Sequence, residues 1–158
     1  MTIKMGRGDA SRIVNDAIGR LINEQPELID IDVSERALCH HLANYIREFA
    51  PRELTVDVEY NRHHELPKTL PLPPRKPKAW DLMAVTVFPD IIVHVRETDD
   101  YNNIVLEVKK PGVSAEDWDF DRKKLEAFRS VLEYEHCAHV VLGRNASGDI
   151  VRDVTWLD

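Results

Sequence analysis

The sequence predicts an α/β chain in which helices flank a central mixed sheet. Three observations lead there. Stretches with apolar residues at helical spacing are interspersed with short runs that alternate apolar and polar residues or are apolar throughout. Their order is helix, helix, strand, strand, strand, helix, strand, strand. The chain has 158 residues, 43% of them apolar. That is one domain's worth, and folding at this length hides roughly 68–70% of the unfolded surface.

Residues 11–23 place Ile13, Ala17, Ile18, Leu21 and Ile22 on one helical face, with Ser11 or Asp9 as cap and Pro26 as the stop. A second helix is expected from the N-cap Ser34 to about Phe49, before Pro51, with Leu38, Leu42, Tyr45, Ile46 and Phe49 inward. Glu35 lies in its first turn, on the same face as Leu38. In residues 54–60, Leu54, Val56, Val58 and Tyr60 alternate with Thr55, Asp57 and Glu59, the pattern of a half-buried strand. Residues 61–78 carry Pro67, Pro71, Pro73, Pro74 and Pro77, which forbid helix and central strand. This extended segment also holds Arg62, Lys68, Arg75, Lys76 and Lys78 against Glu65 alone. It reads either as a surface loop or as an arm that touches a substrate.

Two further strands are expected at 82–95 and 103–109. The polar link 96–103 makes an antiparallel hairpin the simplest joining. Pro111-Gly112 ends the second of them. A third helix at about 117–134 turns Trp118, Leu125, Phe128 and Leu132 inward, with Asp121 and Lys124 on the same face. Strands at 138–142 and 150–157 follow, joined by the Gly143…Gly148 turn.

A formal charge of −7, from 21 Lys+Arg and 28 Asp+Glu, argues against binding nucleic acid through bulk charge but leaves room for a local basic groove. No apolar run reaches the roughly 20 residues of a membrane helix, and the N-terminus lacks the apolar core of a secretory signal. Cys39 and Cys137 are far apart with no CxxC, so a disulfide framework is not expected. A reduced cytoplasmic protein without a membrane partner is the expectation.

The chemistry concentrates in the hairpin. Asp90 opens an apolar strand in Pro89-Asp90-Ile-Ile-Val-His94, and Glu107 and Lys109 lie two residues apart in Ile104-Val-Leu-Glu-Val-Lys109, hence on one face. If Val95 faces Ile104, Asp90 falls opposite Lys109 and Ile92 opposite Glu107. Three charges then meet at one end of the hairpin, where an unpaired charge costs several kcal/mol. A salt bridge from Lys109 to Asp90 or Glu107 accounts for two of them. The alternative uses all three: two carboxylates suit Mg²⁺, which takes one or two carboxylates plus waters and phosphate oxygens. Such an ion acidifies a bound water and stabilises charge on phosphorus, while the lysine positions that water and neutralises the phosphate.

The residues Pro89-Asp90 … Glu107-Val108-Lys109 resemble the PD-(D/E)XK signature of the restriction-endonuclease-like nuclease superfamily. The order of elements is similar to that superfamily's αβββαβ core, over about residues 34–143. The run PDIIVH…NNIVLEVKK…DRKKL also looks like small bacterial members of it. The resemblance implies a Mg²⁺-dependent nuclease, with Mn²⁺ as substitute, acting on nucleic acid, DNA more than RNA. By it Asp90, Glu107 and the backbone carbonyl of Val108 are metal ligands, Lys109 is the catalytic lysine, and Glu35 is an additional acid near the metal. A homodimer is expected by the same analogy. Read without the resemblance, Glu35 is also simply a carboxylate favoured by the helix dipole. Asp121 and Lys124 read either as groups facing the active edge, Lys124 toward a phosphate, or as a local i,i+3 pair. The rival functions are a non-catalytic nucleic-acid-binding subunit of the same fold, and an interaction protein in which the three hairpin charges form a buried ion network.

Other signals carry less. His136, Cys137 and His139 are too few for a zinc site without a second cluster. His41 reads as a core histidine, and His94 shares the face of Asp90. No Gly-x-Ser-x-Gly elbow or phosphate-cradling glycine loop is present. Trp80, Trp118 and Trp156 read as core anchors, and Lys110 as a surface lysine.

Overall fold

The computed structural model describes residues 3–60, 69–70, 85–86 and 89–158. In chain order the elements are α1 (Arg7–Glu24), α2 (Glu27–Asp30), α3 (Glu35–Phe49), β1 (Thr55–Val58), β2 (Thr69–Leu70), β3 (Val85–Thr86), β4 (Ile91–His94), β5 (Ile104–Lys109), α4 (Ala115–Leu132), β6 (His136–Arg144) and β7 (Ile150–Trp156). Five strands form a mixed sheet in the order β1-β4-β5-β6-β7, and β2 and β3 form a separate two-stranded ribbon. The β5–β6 pair is parallel and the others are antiparallel. The α/β class expected from the sequence is the class observed.

The period-two alternation of the strands divides the interior into two layers. Ile91, Val93, Ile104, Leu106 and Val108 join α1 and α3 in the larger core. Ile92, Val105 and Cys137 face the other way and pack under α4 with Leu125, Phe128 and Leu132. Cys39 belongs to the first layer and Cys137 to the second, so the two thiols face different sides of the sheet. Burial pushes the Cys137 thiol up to about 12.

Both long helices that border the hairpin begin at a serine. The Ser34 hydroxyl accepts from the Ala37 amide at 3.1 Å, and the Ser114 hydroxyl from the Asp117 amide at 3.1 Å, each satisfying a first-turn donor the helix itself cannot. Helix α1 instead starts at Arg7, behind Gly6, without a side-chain cap; neither Asp9 nor Ser11 caps it. Pro26 stops α1 as expected but then opens the short α2.

The expected strand over 82–95 is not continuous. Val85–Thr86 pairs with Thr69–Leu70 in the ribbon, and the sheet strand begins only at Ile91. Pro89, which has no amide hydrogen to give a ladder, precedes that start. Thr69–Leu70 sits inside the proline-rich segment, whose other residues lie outside the described ones. The hairpin register also differs from expectation: Val93, not Val95, faces Ile104. The link begins earlier, at Val95, and turns through Glu97 at φ 66°. A slip of two keeps every side chain on its face but brings Asp90 level with Glu107 instead of Lys109.

Candidate active site

Asp90 stands just before Ile91, the first residue of β4. Its Oδ2 accepts the Val108 amide at 2.8 Å, which pins the carboxylate against β5. Val108 therefore meets Asp90 through its nitrogen. Glu35, in the first turn of α3, accepts the Lys110 amide at 2.9 Å through Oε2, so the end of β5 is held from both sides by acids. Glu35, Cys39, Asp90, Val108 and Lys109 border a cavity of about 240 Å³, and Glu35 and Lys109 also border a wider cleft of about 520 Å³ between the N-termini of α3 and α4.

Glu107 is 2% exposed. Burial drives its carboxyl well above the usual carboxylate range. The Lys124 charge pulls the other way, and the adjoining Asp90 carboxylate adds to the upward push. Lys124 Nζ lies 2.8 Å from Glu107 Oε1, yet that oxygen has no hydrogen bond of proper geometry. The contact is an ion pair at close range with poor alignment.

Lys109 turns to α4, where its Nζ lies 3.3 Å from Asp121 Oδ2. The same oxygen lies 3.5 Å from His139 Nε2, and the Trp118 ring covers the imidazole with centroids 3.8 Å apart. Burial acts to raise the Asp121 carboxyl, but His139 and Lys109 outweigh it and hold the group below its ordinary value. Burial likewise works against the Lys109 charge, and Asp121 and Glu35 more than restore it.

Asp90, Glu107, Lys109 and Glu35 thus lie at one end of β5, and the pairing of the three hairpin charges differs from the expected one. Lys109 bridges neither Asp90 nor Glu107. Asp121 and Lys124 are neither a local pair nor turned to solvent: each reaches across to β5, acid to lysine and lysine to acid. Sequence reasoning put both on the inward face of the helix and missed their partners. It also missed His139 as part of the site; the signal was its parallel register with Glu107, which becomes visible only once β5 and β6 are neighbours. His136 lies apart, with Nε2 2.7 Å from the Met5 carbonyl and Nδ1 accepting from Arg7. His94 belongs to a different cluster, with Nε2 2.8 Å from Asp57 Oδ2. His41 is only half-buried, and Lys110 Nζ pairs with Asp32 at 3.1 Å. Trp118 and Trp156 are half-buried and pack on His139 and His136; Trp118 joins neither core cluster, and Trp80 lies outside the described residues.

The donor set fits a hard divalent cation. Two neighbouring carboxyls, one with a buried oxygen lacking a hydrogen bond, offer the hard oxygen donors such an ion takes. Among the described residues no group of three or more His, Cys, Asp or Glu converges as a ready cage, and Mg²⁺ is commonly held by one or two carboxylates with waters filling the rest. Among the described residues, no helix is long and apolar enough to cross a membrane. Compared with known proteins, the chain matches no family model, no curated protein and no solved structure.

Proposed function

We propose that the protein is a Mg²⁺-dependent nuclease of the restriction-endonuclease-like type, hydrolysing phosphodiester bonds, of DNA more than of RNA. The observation that carries the reading is the convergence of Asp90, Glu107 and Lys109 at one end of β5 beside an open cleft, with Glu35 on its wall. Asp90 and Glu107 would hold the ion, which when bound acidifies a water and stabilises the charge that builds on phosphorus. Lys109, kept protonated by Asp121, presents a positive charge to the phosphate and orients the attacking water. Glu35 offers a second acceptor on the opposite wall. The basic proline-rich segment 61–78 is the part of the sequence best suited to a phosphate backbone, and affinity that falls steeply with salt is its expected mark.

A second reading has an observation of its own. Glu107 and Lys109 each already hold a partner on α4, as in a non-catalytic binding subunit of the same architecture. Incubation of purified protein with plasmid, linear and single-stranded DNA and with RNA, in Mg²⁺ and in Mn²⁺, separates the two. Cleavage that vanishes in both Glu107→Gln and Lys109→Met supports the nuclease. Binding without cleavage under every condition supports the subunit.

A further inference from the structure

We propose that Lys124 is the exchangeable cation of the Asp90–Glu107 site: it neutralises the two acids while no divalent ion is bound and is displaced when one binds. The inference rests on the metal-site reading above and adds a device that sets how readily the site fills.

Three features of the geometry lead to it. The first is which lysine does the neutralising. Lys109, next but one to Glu107 in sequence, is held by Asp121 at 3.3 Å, so the charge facing Glu107 comes from α4. The second is how it faces it. Lys124 Nζ reaches 2.8 Å from Glu107 Oε1, but that oxygen, in a residue 2% exposed, accepts no well-formed hydrogen bond. A buried pair repays its desolvation only with excellent geometry, and Glu107 Oε1 does not receive it. The third is stoichiometry. Once both are ionised, the two carboxylates carry twice the charge of one ammonium, and a divalent ion matches them fully.

A divalent ion binds a carboxylate oxygen at about 2.0–2.1 Å, on the same oxygen the ammonium now approaches. Two cations that close repel strongly in a partly desolvated site, so occupancy by one expels the other. The side chain is built for this: lysine is a compact point charge on a flexible four-carbon stem, whereas an arginine fork would lock onto the carboxylate. Lys124 side chain is 12% exposed, so its path out of the core is short.

The test is Mn²⁺ binding, read from the EPR signal of the free ion, for wild type, Lys124→Met, Lys124→Arg and Glu107→Gln. Lys124→Met should bind Mn²⁺ at least about tenfold more tightly than wild type, since the competing charge is gone, and Lys124→Arg no more tightly than wild type. Glu107→Gln should abolish binding. Equal affinity in wild type and Lys124→Met, with binding still lost in Glu107→Gln, overturns the exchange and leaves the metal site standing. Binding that survives Glu107→Gln, or no binding by any of the four proteins, overturns the metal site and the exchange together. Because Lys124→Met can fail to fold, the wild-type protein supplies a second measurement. The ¹³Cε resonance of Lys124, assigned by its loss in Lys124→Arg, should shift as Mg²⁺ is added. A signal unmoved at Mg²⁺ saturation overturns the exchange.

Discussion

Two charged clusters lie on the same face of the sheet, and they are built on opposite principles. At the β1–β4 end, Asp57 takes His94 Nε2 at 2.8 Å and the Arg96 guanidinium through both of its oxygens. Burial opposes the Asp57 charge, but His94 and Arg96 outweigh it and hold the carboxyl far below its ordinary value. Both carboxylate oxygens have partners there. At the β5 end, Glu107 is pushed the other way, faces a second acid, and keeps a buried oxygen without a hydrogen bond. A protein seeking only stability would build the first kind of cluster twice. The second stores unfavourable electrostatics beside an open cleft, which is where a binding or reactive site is to be sought.

The largest expected difference between the clusters is in cleavage. Glu107→Gln and Lys109→Met should each lower the rate on the order of 10³-fold or more, while Asp57→Asn leaves it essentially unchanged; a matching loss from Asp57→Asn would erase the distinction. Next comes stability at a pH where Glu107 is ionised. Lys124→Met leaves Glu107 buried beside Asp90 without a cation and should cost about 3 kcal/mol by denaturant unfolding. Glu107 has a raised carboxyl, so the fold favours its protonated form. The stability this gives is present at low pH and is lost as pH rises through the raised value. The deficit of Lys124→Met should therefore shrink on acidification.

Asp57→Asn should cost about 2 kcal/mol at neutral pH, through loss of charged hydrogen bonds, and this deficit also shrinks on acidification, but because the wild type loses stability rather than because the mutant is relieved. A depressed carboxyl contributes stability that is full above the ordinary carboxylate range and is lost as pH falls toward its folded value. The wild-type protein should lose stability in acid more steeply than Asp57→Asn. A mutant curve parallel to wild type would show that Asp57 is not the acid-sensitive group. The smallest effect belongs to the caps: Ser34→Ala and Ser114→Ala should each cost about 1 kcal/mol, and only through helix stability, leaving Mn²⁺ affinity unaltered.

Much of this architecture was legible in the residues. Ser34 marks a helix start by a hydroxyl that suits a free amide, whatever the rest of the chain does; Ser114 does the same for α4, which begins two residues before the expected start. The alternation in 104–109 settles that Glu107 and Lys109 share a face, because strand parity is local. Other parts were not. The run 82–95 reads as one strand, yet its front half pairs with residues 69–70 in a ribbon, and no period within the run announces the break. Gly143 is similar. It looks like an ordinary turn residue, but it sits at φ 152° inside β6, where an added Cβ would lie 2.8 Å from Pro111 Cδ. That close approach exists only because the loop after β5 folds over β6.

By itself, then, the sequence determined the α/β class, the positions of the long helices and sheet strands, the faces of the strands, and the sharing of one face by Glu107 and Lys109. These follow from local periodicity, capping and parity. Only the tertiary structure decided which charge meets which: Lys124 with Glu107, Lys109 with Asp121 and His139, His94 with Asp57. Such pairs join side chains on separate elements, and a two-residue change of register or the docking of one helix exchanges partners without altering any local preference.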